Sequence, residues 1–86
     1  MTWKIIIEKQ PRKYISKQSL ENREILRNAI LKLKNGPYQD DSDISSLKGR
    51  PEWRLRVGRW RILFLVNNNE ILITVISIKP RGDVYK

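Results

Sequence analysis

Eighty-six residues without a cysteine or a histidine make one small domain, residues 1–86, that no disulfide or thiolate metal site can brace and that lacks the usual general base and metal ligand. Eighteen Lys and Arg against nine Asp and Glu leave a net charge of +9, which points to a polyanionic partner: RNA, a ribosome surface, DNA or an acidic protein. No apolar run is long enough to span a bilayer and the N-terminus has no signal-peptide layout, so the cytoplasm is the expected compartment, with no membrane contact.

In chain order, residues 3–8 (WKIIIE) are a short β-rich run and the expected first strand. Pro11 suits the start of a helix, where its missing N–H is not needed. Residues 11–18 read as a short basic helix with Tyr14 and Ile15 as its apolar side. Ser19 can cap a second helix over 20–34, whose Leu26, Ala29, Ile30 and Leu33 repeat at helical spacing, widened by Ile25. Glu21 and Glu24 near its start and Lys32 and Lys34 near its end suit the helix dipole. Asn35-Gly36-Pro37 stops it, Gly by a left-handed cap and Pro by forbidding continuation. Residues 38–46 (YQDDSDISS) are the one acidic stretch and read as a solvated loop; the alternating ligands and turn glycine of a calcium loop are missing, so no metal site is expected.

Residues 47–85 hold the rest of the fold. Arg54 and Arg56 alternate with Leu55 and Val57, the period of a half-buried strand. Residues 60–66 and 71–78 are long β-branched apolar runs, as in strands covered on both faces. Gly58-Arg59 can close a two-residue hairpin and Asn67-Asn68-Asn69 a second turn. An antiparallel three-stranded meander follows. If the face of Trp60, Ile62 and Phe64 is the core face, parity puts Arg61 with Arg54 and Arg56 on the other. The expected architecture is α+β in the order β-α-α-β-β-β, with a helical hairpin packed on one face of a mainly antiparallel sheet. The expected core is Ile5, Ile7, Tyr14, Leu26, Ile30, Leu33, Leu55, Val57, Trp60, Ile62, Phe64, Leu72 and Ile76. Leu63 and Leu65 share the arginine face, and that residual apolar surface implies a partner.

The charge is uneven. Residues 1–46 carry nine basic and six acidic side chains, residues 47–86 nine and three. The basic residues of the second half are mostly Arg, the residue suited to bidentate phosphate contact. Arg54, Arg56 and Arg61, with Arg81 and Tyr85 beyond the last strand, could assist cleavage of RNA by attack of a 2′-hydroxyl on its own phosphate. Arginines stabilise charge developing on the phosphate but are poor proton carriers. Tyr85 could handle a proton if neighbouring arginines lower its phenol pKa; Lys48, Lys79 and Lys86 are weaker candidates. Arg56, Lys48, Arg50, Arg59 and Lys79 are the expected RNA-binding set. Trp53 joins it as a base-stacking platform or else sits at the edge of the core. No metal or cofactor is required.

The pattern L-K-G, an aromatic among alternating basic residues, W-R-I-L-F-L-V and V-I-S-I-x-x-R-x-x-V-Y over residues 47–85 resembles the RelE/ParE toxin superfamily of type II toxin–antitoxin systems, and the element order extends the resemblance over the whole chain. It implies a toxin neutralised by a cognate acidic antitoxin, as a heterodimer or heterotetramer. In the RelE branch it implies metal-independent cleavage of mRNA in the ribosomal A site. The family's basic pair on the second strand falls on Arg54 and Arg56, its next strand's arginine on Arg61, its arginine after the last strand on Arg81 and its C-terminal tyrosine on Tyr85. Two positions depart from RelE-like enzymes: the basic pair, often lysine, is arginine here, and Pro80 stands where some relatives have histidine. Arg61, Arg81 and Tyr85 together favour the RelE branch over the ParE branch, which shares the fold but inhibits DNA gyrase. A non-enzymatic RNA-binding module is a third reading, but its exposed stacking aromatics are not evident.

Overall fold

Helical spacing gives way to strand spacing at Gly36-Pro37, and the computed structural model, which describes residues 2–80, divides there too. The elements are β1 (Lys4–Ile7), α1 (Lys9–Ser16), α2 (Leu20–Lys32), a 3-10 turn (Leu33–Asn35), β2 (Ile44–Ser46), β3 (Trp53–Val57), β4 (Trp60–Asn67) and β5 (Leu72–Pro80). They form a five-stranded sheet in the order β1-β5-β4-β3-β2 with the two helices on one face. Among the described residues the β1–β5 pair is parallel and the other pairs are antiparallel.

Local chemistry accounts for the helices. α1 begins two residues before Pro11, because the first turn has no intrahelical use for the missing N–H. Gln10 lies in that turn and its amide does strand work. Nε2 donates to the Ile78 carbonyl (3.3 Å) and Oε1 accepts from the Ile78 N–H (3.2 Å), satisfying β5 where β1 has ended. Ser19 Oγ accepts from the Asn22 N–H (3.2 Å) and caps α2. The 3-10 turn tightens the other end, and Gly36 leaves it at φ 91°. A Cβ at Gly36 would stand 2.6 Å from Trp3 Nε1. Gly36→Ala is therefore expected to cost roughly 2–4 kcal/mol from backbone strain and overpacking together, read as a lower midpoint in urea unfolding.

The sheet has one strand more than the residue pattern suggests. Residues 38–46 are not simply a solvated loop: Ile44 is buried and β2 pairs antiparallel with β3, Ile44 opposite Leu55 and Ser46 opposite Trp53. Three residues with two serines are too short and too polar to read as a strand; the pairing with β3 supplies the order. The acids also have partners. Lys32 Nζ lies 2.8 Å from Asp41 Oδ2, and the Asp43 N–H donates to Asp41 Oδ1 (2.9 Å). The lysine, and then that N–H, hold the Asp41 carboxyl below its ordinary pKa.

The core lies between the sheet and the hairpin: Leu26, Ile30 and Leu33 from the helical side meet Leu55, Trp60, Ile62 and Phe64. Ile5, Ile7, Tyr14 and Val57 are half-buried against it. Ile15 and Ile44 belong to it too, although the pattern ranks neither in the core. On β5 the expected parity is reversed. Ile73, Val75 and Ile78 are the buried residues, whereas Leu72 and Ile76 are half-buried. β5 is apolar on nearly every position, so its own spacing cannot choose a face. Its pairings choose: Ile5 and Ile7 of β1 lie opposite Ile73 and Val75, and a bulge opposite Leu63/Phe64 adds one residue before Ile78 returns to the core.

Candidate nucleic-acid interface

The tight hairpin between β3 and β4 builds the basic face. Gly58 takes φ 53° and Val57 lies opposite Trp60, so the turn has two residues. That register sets Arg56 opposite Arg61 and Arg54 opposite Leu63, and β5 continues the rows with Lys79 opposite Arg61 and Ser77 opposite Leu63. Cross-strand neighbours share a face. Since Leu55, Ile62 and Phe64 point into the core, Arg54, Arg56, Arg61 and Lys79 stand together on the face that carries no helix. Leu63 and Leu65 share it, Leu65 37% exposed.

The three arginines are held differently. Arg54 is half-buried; its Nη2 donates to Ser45 Oγ (3.2 Å), and its Nε is buried with no partner. Arg56 is more exposed and pairs with Asp43 (Nη2 to Oδ1 3.5 Å), whose backbone carbonyl also accepts the Arg56 N–H. The ion pair is in reach of water on both sides, so an incoming phosphate can replace the carboxylate. Arg61 is half-buried and has no acidic partner among the described residues. It lines a cleft of about 520 Å³ with Arg50, Leu63, Ser77, Lys79 and Pro80.

Arg50 reaches that cleft from the loop before β3, tied to Glu52 (Nη2 to Oε2 3.3 Å). The Glu52 carboxyl sits below its ordinary pKa, first through its own backbone N–H and then through Arg50. Arg59 belongs to the hairpin turn, its guanidinium 5.5 Å from the centre of the Trp60 ring. Lys48 is exposed on the loop before β3 and does not line the cleft.

Trp53 is not on this surface. It alternates with Arg54 and so faces the core side, in a run of rings with Trp3, Tyr38 and Phe64. It stacks on Phe64 at 6.1 Å and meets Tyr38 edge-on at 5.6 Å. The stacking-platform expectation for Trp53 is thereby corrected in favour of the core edge. Arg81, Tyr85 and Lys86 lie outside the described residues.

The cleft also takes in groups that the residue pattern assigns elsewhere. Tyr14, expected only as core, lines it from α1, and its hydroxyl accepts from the Trp60 indole N–H (3.1 Å). Gln10 lines it as well. No local signal marks either, since both arrive by the docking of α1 on the end of β5. Chemically, the face offers fixed guanidinium donors, able to grip a phosphate and to stabilise charge on it but not to shuttle protons. No group of three or more Asp and Glu able to hold a metal ion occurs among the described residues.

The profile of a protein family described as the ParE toxin of type II toxin–antitoxin system, parDE, matches residues 4–85. The chain belongs to this family. Solved structures agree on the fold. The RelE–RelB complex from the archaeon Pyrococcus horikoshii OT3 superposes with a TM-score of 0.81 at 26% identity, over 95% of this chain and 98% of that one. The RelBE2 toxin–antitoxin complex of Mycobacterium tuberculosis gives 0.79 at 12% identity, over 94% and 100%. The intact Escherichia coli RelBE complex gives 0.73 at 17% identity, over 91% and 95%. Among curated proteins, no sequence matches significantly. The chain is thus a type II toxin of the RelE/ParE superfamily, with the α+β fold of RelE. No helix of this toxin, among the described residues, is long and apolar enough to cross a membrane.

Proposed function

We propose that this toxin cuts mRNA in the ribosomal A site, by attack of a 2′-hydroxyl on the adjoining phosphate and without a metal ion. The observation that carries the proposal is the single rigid face bearing Arg54, Arg56 and Arg61, with Arg61 opening into a cleft beside Arg50 and Lys79. The likeness to the P. horikoshii RelE, at 26% identity over 95% of the chain, supports it.

In this scheme Arg61 and Arg81 grip the scissile phosphate and stabilise the charge it gains, Arg54 and Arg56 position the backbone, and Arg54 or Tyr85 lies nearest the reacting oxygens. Ribosome dependence follows from composition. Without histidine, proton-transfer help worth 10²–10⁴-fold, about 3–5 kcal/mol, is hard to supply. Binding the RNA already bent into line for attack supplies ~7–11 kcal/mol, which is more. The ribosome would do the bending, and free RNA would be a poor substrate. A cognate acidic antitoxin would neutralise the toxin by covering the arginines or by displacing a catalytic element, in a heterodimer or heterotetramer; the solved relatives from P. horikoshii and M. tuberculosis are toxin–antitoxin complexes. Ribosome and antitoxin would both be met in the cytoplasm.

The family profile is that of ParE, which favours a second reading, inhibition of DNA gyrase. Purified toxin should be added to ribosomes programmed with a defined A-site codon, to the same mRNA alone, and to a gyrase supercoiling reaction. Cleavage confined to the programmed ribosomes is expected. Intact mRNA with blocked supercoiling would replace the first reading by the second.

A further inference from the structure

The toxin carries a second basic surface, on the side of the sheet away from the arginine face. From Lys9 to Lys17 the chain has four basic residues, Lys9, Arg12, Lys13 and Lys17, and no acid. Pro11 and Ile15 take the buried side of α1, so the basic residues are left outside. Lys9, Arg12, Lys13 and Ser16 line one cleft there. A second cleft, between α1 and α2, shares Arg12 and Ser16 and adds Arg23 and Arg27 over a floor of Ile7 and Ile15. The described ion pairs are Lys32–Asp41, Arg50–Glu52 and Arg56–Asp43, so none of these cations has an acidic partner among the described residues. Arg23 goes further: its Nε is buried and makes no hydrogen bond, a costly state for a guanidinium donor unless a ligand satisfies it. Glu21 and Glu24 fall outside the side of α2 that Arg23 and Arg27 share with Ile30.

We propose that this helical surface binds a second nucleic-acid backbone, so that the toxin lodges between two phosphodiester strands, one on each side of its sheet. Geometry supports the match. Residues 9 to 16 of a helix advance about 10 Å, which along a duplex axis corresponds to about three base-pair steps of ~3.4 Å each. Arg23 and Arg27, one helical turn apart, add bidentate donors at the groove. A polar cleft lined by lysine, arginine and serine fits a solvated phosphate chain better than an acyl surface. A small apolar spot at Ile7, Ile30 and Leu31 adjoins Arg27, which makes an acidic amphipathic peptide the competing occupant. The inference does not rest on mRNA cleavage, because it concerns binding alone.

The test is fluorescence anisotropy of a short RNA duplex, the DNA duplex of the same sequence and an acidic peptide, across a salt series, with full-length toxin. Arg56→Ala/Arg61→Ala serves as the background that weakens the first face. Lys9→Gln/Lys13→Gln, both exposed positions, and Arg12→Gln/Arg23→Gln/Arg27→Gln are added to it, each checked for native circular dichroism. In the background protein, substantial duplex binding should persist. Lys9→Gln/Lys13→Gln should make the slope of log affinity against log salt shallower by about 0.9 for each lost contact, and its effect should add to that of the arginine-face pair because the sites are separate. Equal losses on RNA and DNA assign the contact to the phosphates; a loss on RNA alone adds the 2′-hydroxyl. No duplex binding in the background protein, an unchanged salt slope in the lysine variant, or a loss confined to the acidic peptide would each overturn the proposal.

Discussion

Arg61→Ala should slow cleavage of mRNA on programmed ribosomes by roughly a hundredfold or more, the scale of removing one preorganised donor from a transition state that gains charge. Among the three arginines of the face, Arg61 is the one to expect this of. It has no acidic partner among the described residues, and it lines the cleft, whereas Arg56 is engaged by Asp43 and Arg54 by Ser45. The loss should appear in the single-turnover rate more than in ribosome affinity, because a group that meets charge formed only during reaction lowers the barrier without tightening the ground state. Arg61→Lys should recover part of it, since a point charge remains while the forked donor geometry is gone. Arg56→Ala should instead weaken binding, with a shallower salt dependence and a smaller effect on the bound rate.

The largest loss of stability is expected at Phe64. Its side chain is fully buried at the centre of β4, stacked on Trp53 and enclosed by the helical hairpin. Phe64→Ala should cost about 3–5 kcal/mol, from lost transfer free energy and from the cavity left behind. A domain of this size holds little stability in reserve, so the variant should be largely unfolded at 37 °C, which urea titration followed by tryptophan fluorescence would show. Phe64→Leu should remain folded with a much smaller penalty. The contrast separates packing from chemistry: Phe64→Leu keeps the arginine face in register, while Arg61→Ala keeps the fold.

Legibility in the sequence followed how local each signal is. The hairpin that places Arg54, Arg56 and Arg61 depends on one glycine and a strict alternation, and parity alone orders them onto one face. The cap at Ser19 and the stop at Gly36 are equally local. Where the outcome depends on a distant strand, the residues are silent. The apolar run of β5 offers no alternation, so pairing with β1 and a bulge against β4 decided that Ile73 and Val75 face inward instead of Leu72 and Ile76. β2 exists because β3 offers an edge. Trp53 joins the core because Tyr38 and Phe64 are there to meet it. In the candidate site, the strand residues could be placed from spacing, but the arrival of Arg50, Tyr14 and Gln10 at the cleft depends on how a loop and a helix dock, which no nearby residue encodes.

The most direct test of the account is the chemistry of the cut end. Ribosomes holding a defined codon in the A site are incubated with the toxin, and the 3′ ends of the released mRNA fragments are identified by mass spectrometry. Attack by the neighbouring 2′-hydroxyl predicts breaks within the A-site codon that carry a 2′,3′-cyclic phosphate, abolished by prior addition of the antitoxin. Fragments ending in a free 3′-hydroxyl, or mRNA recovered whole from ribosomes to which the toxin is bound, would contradict it.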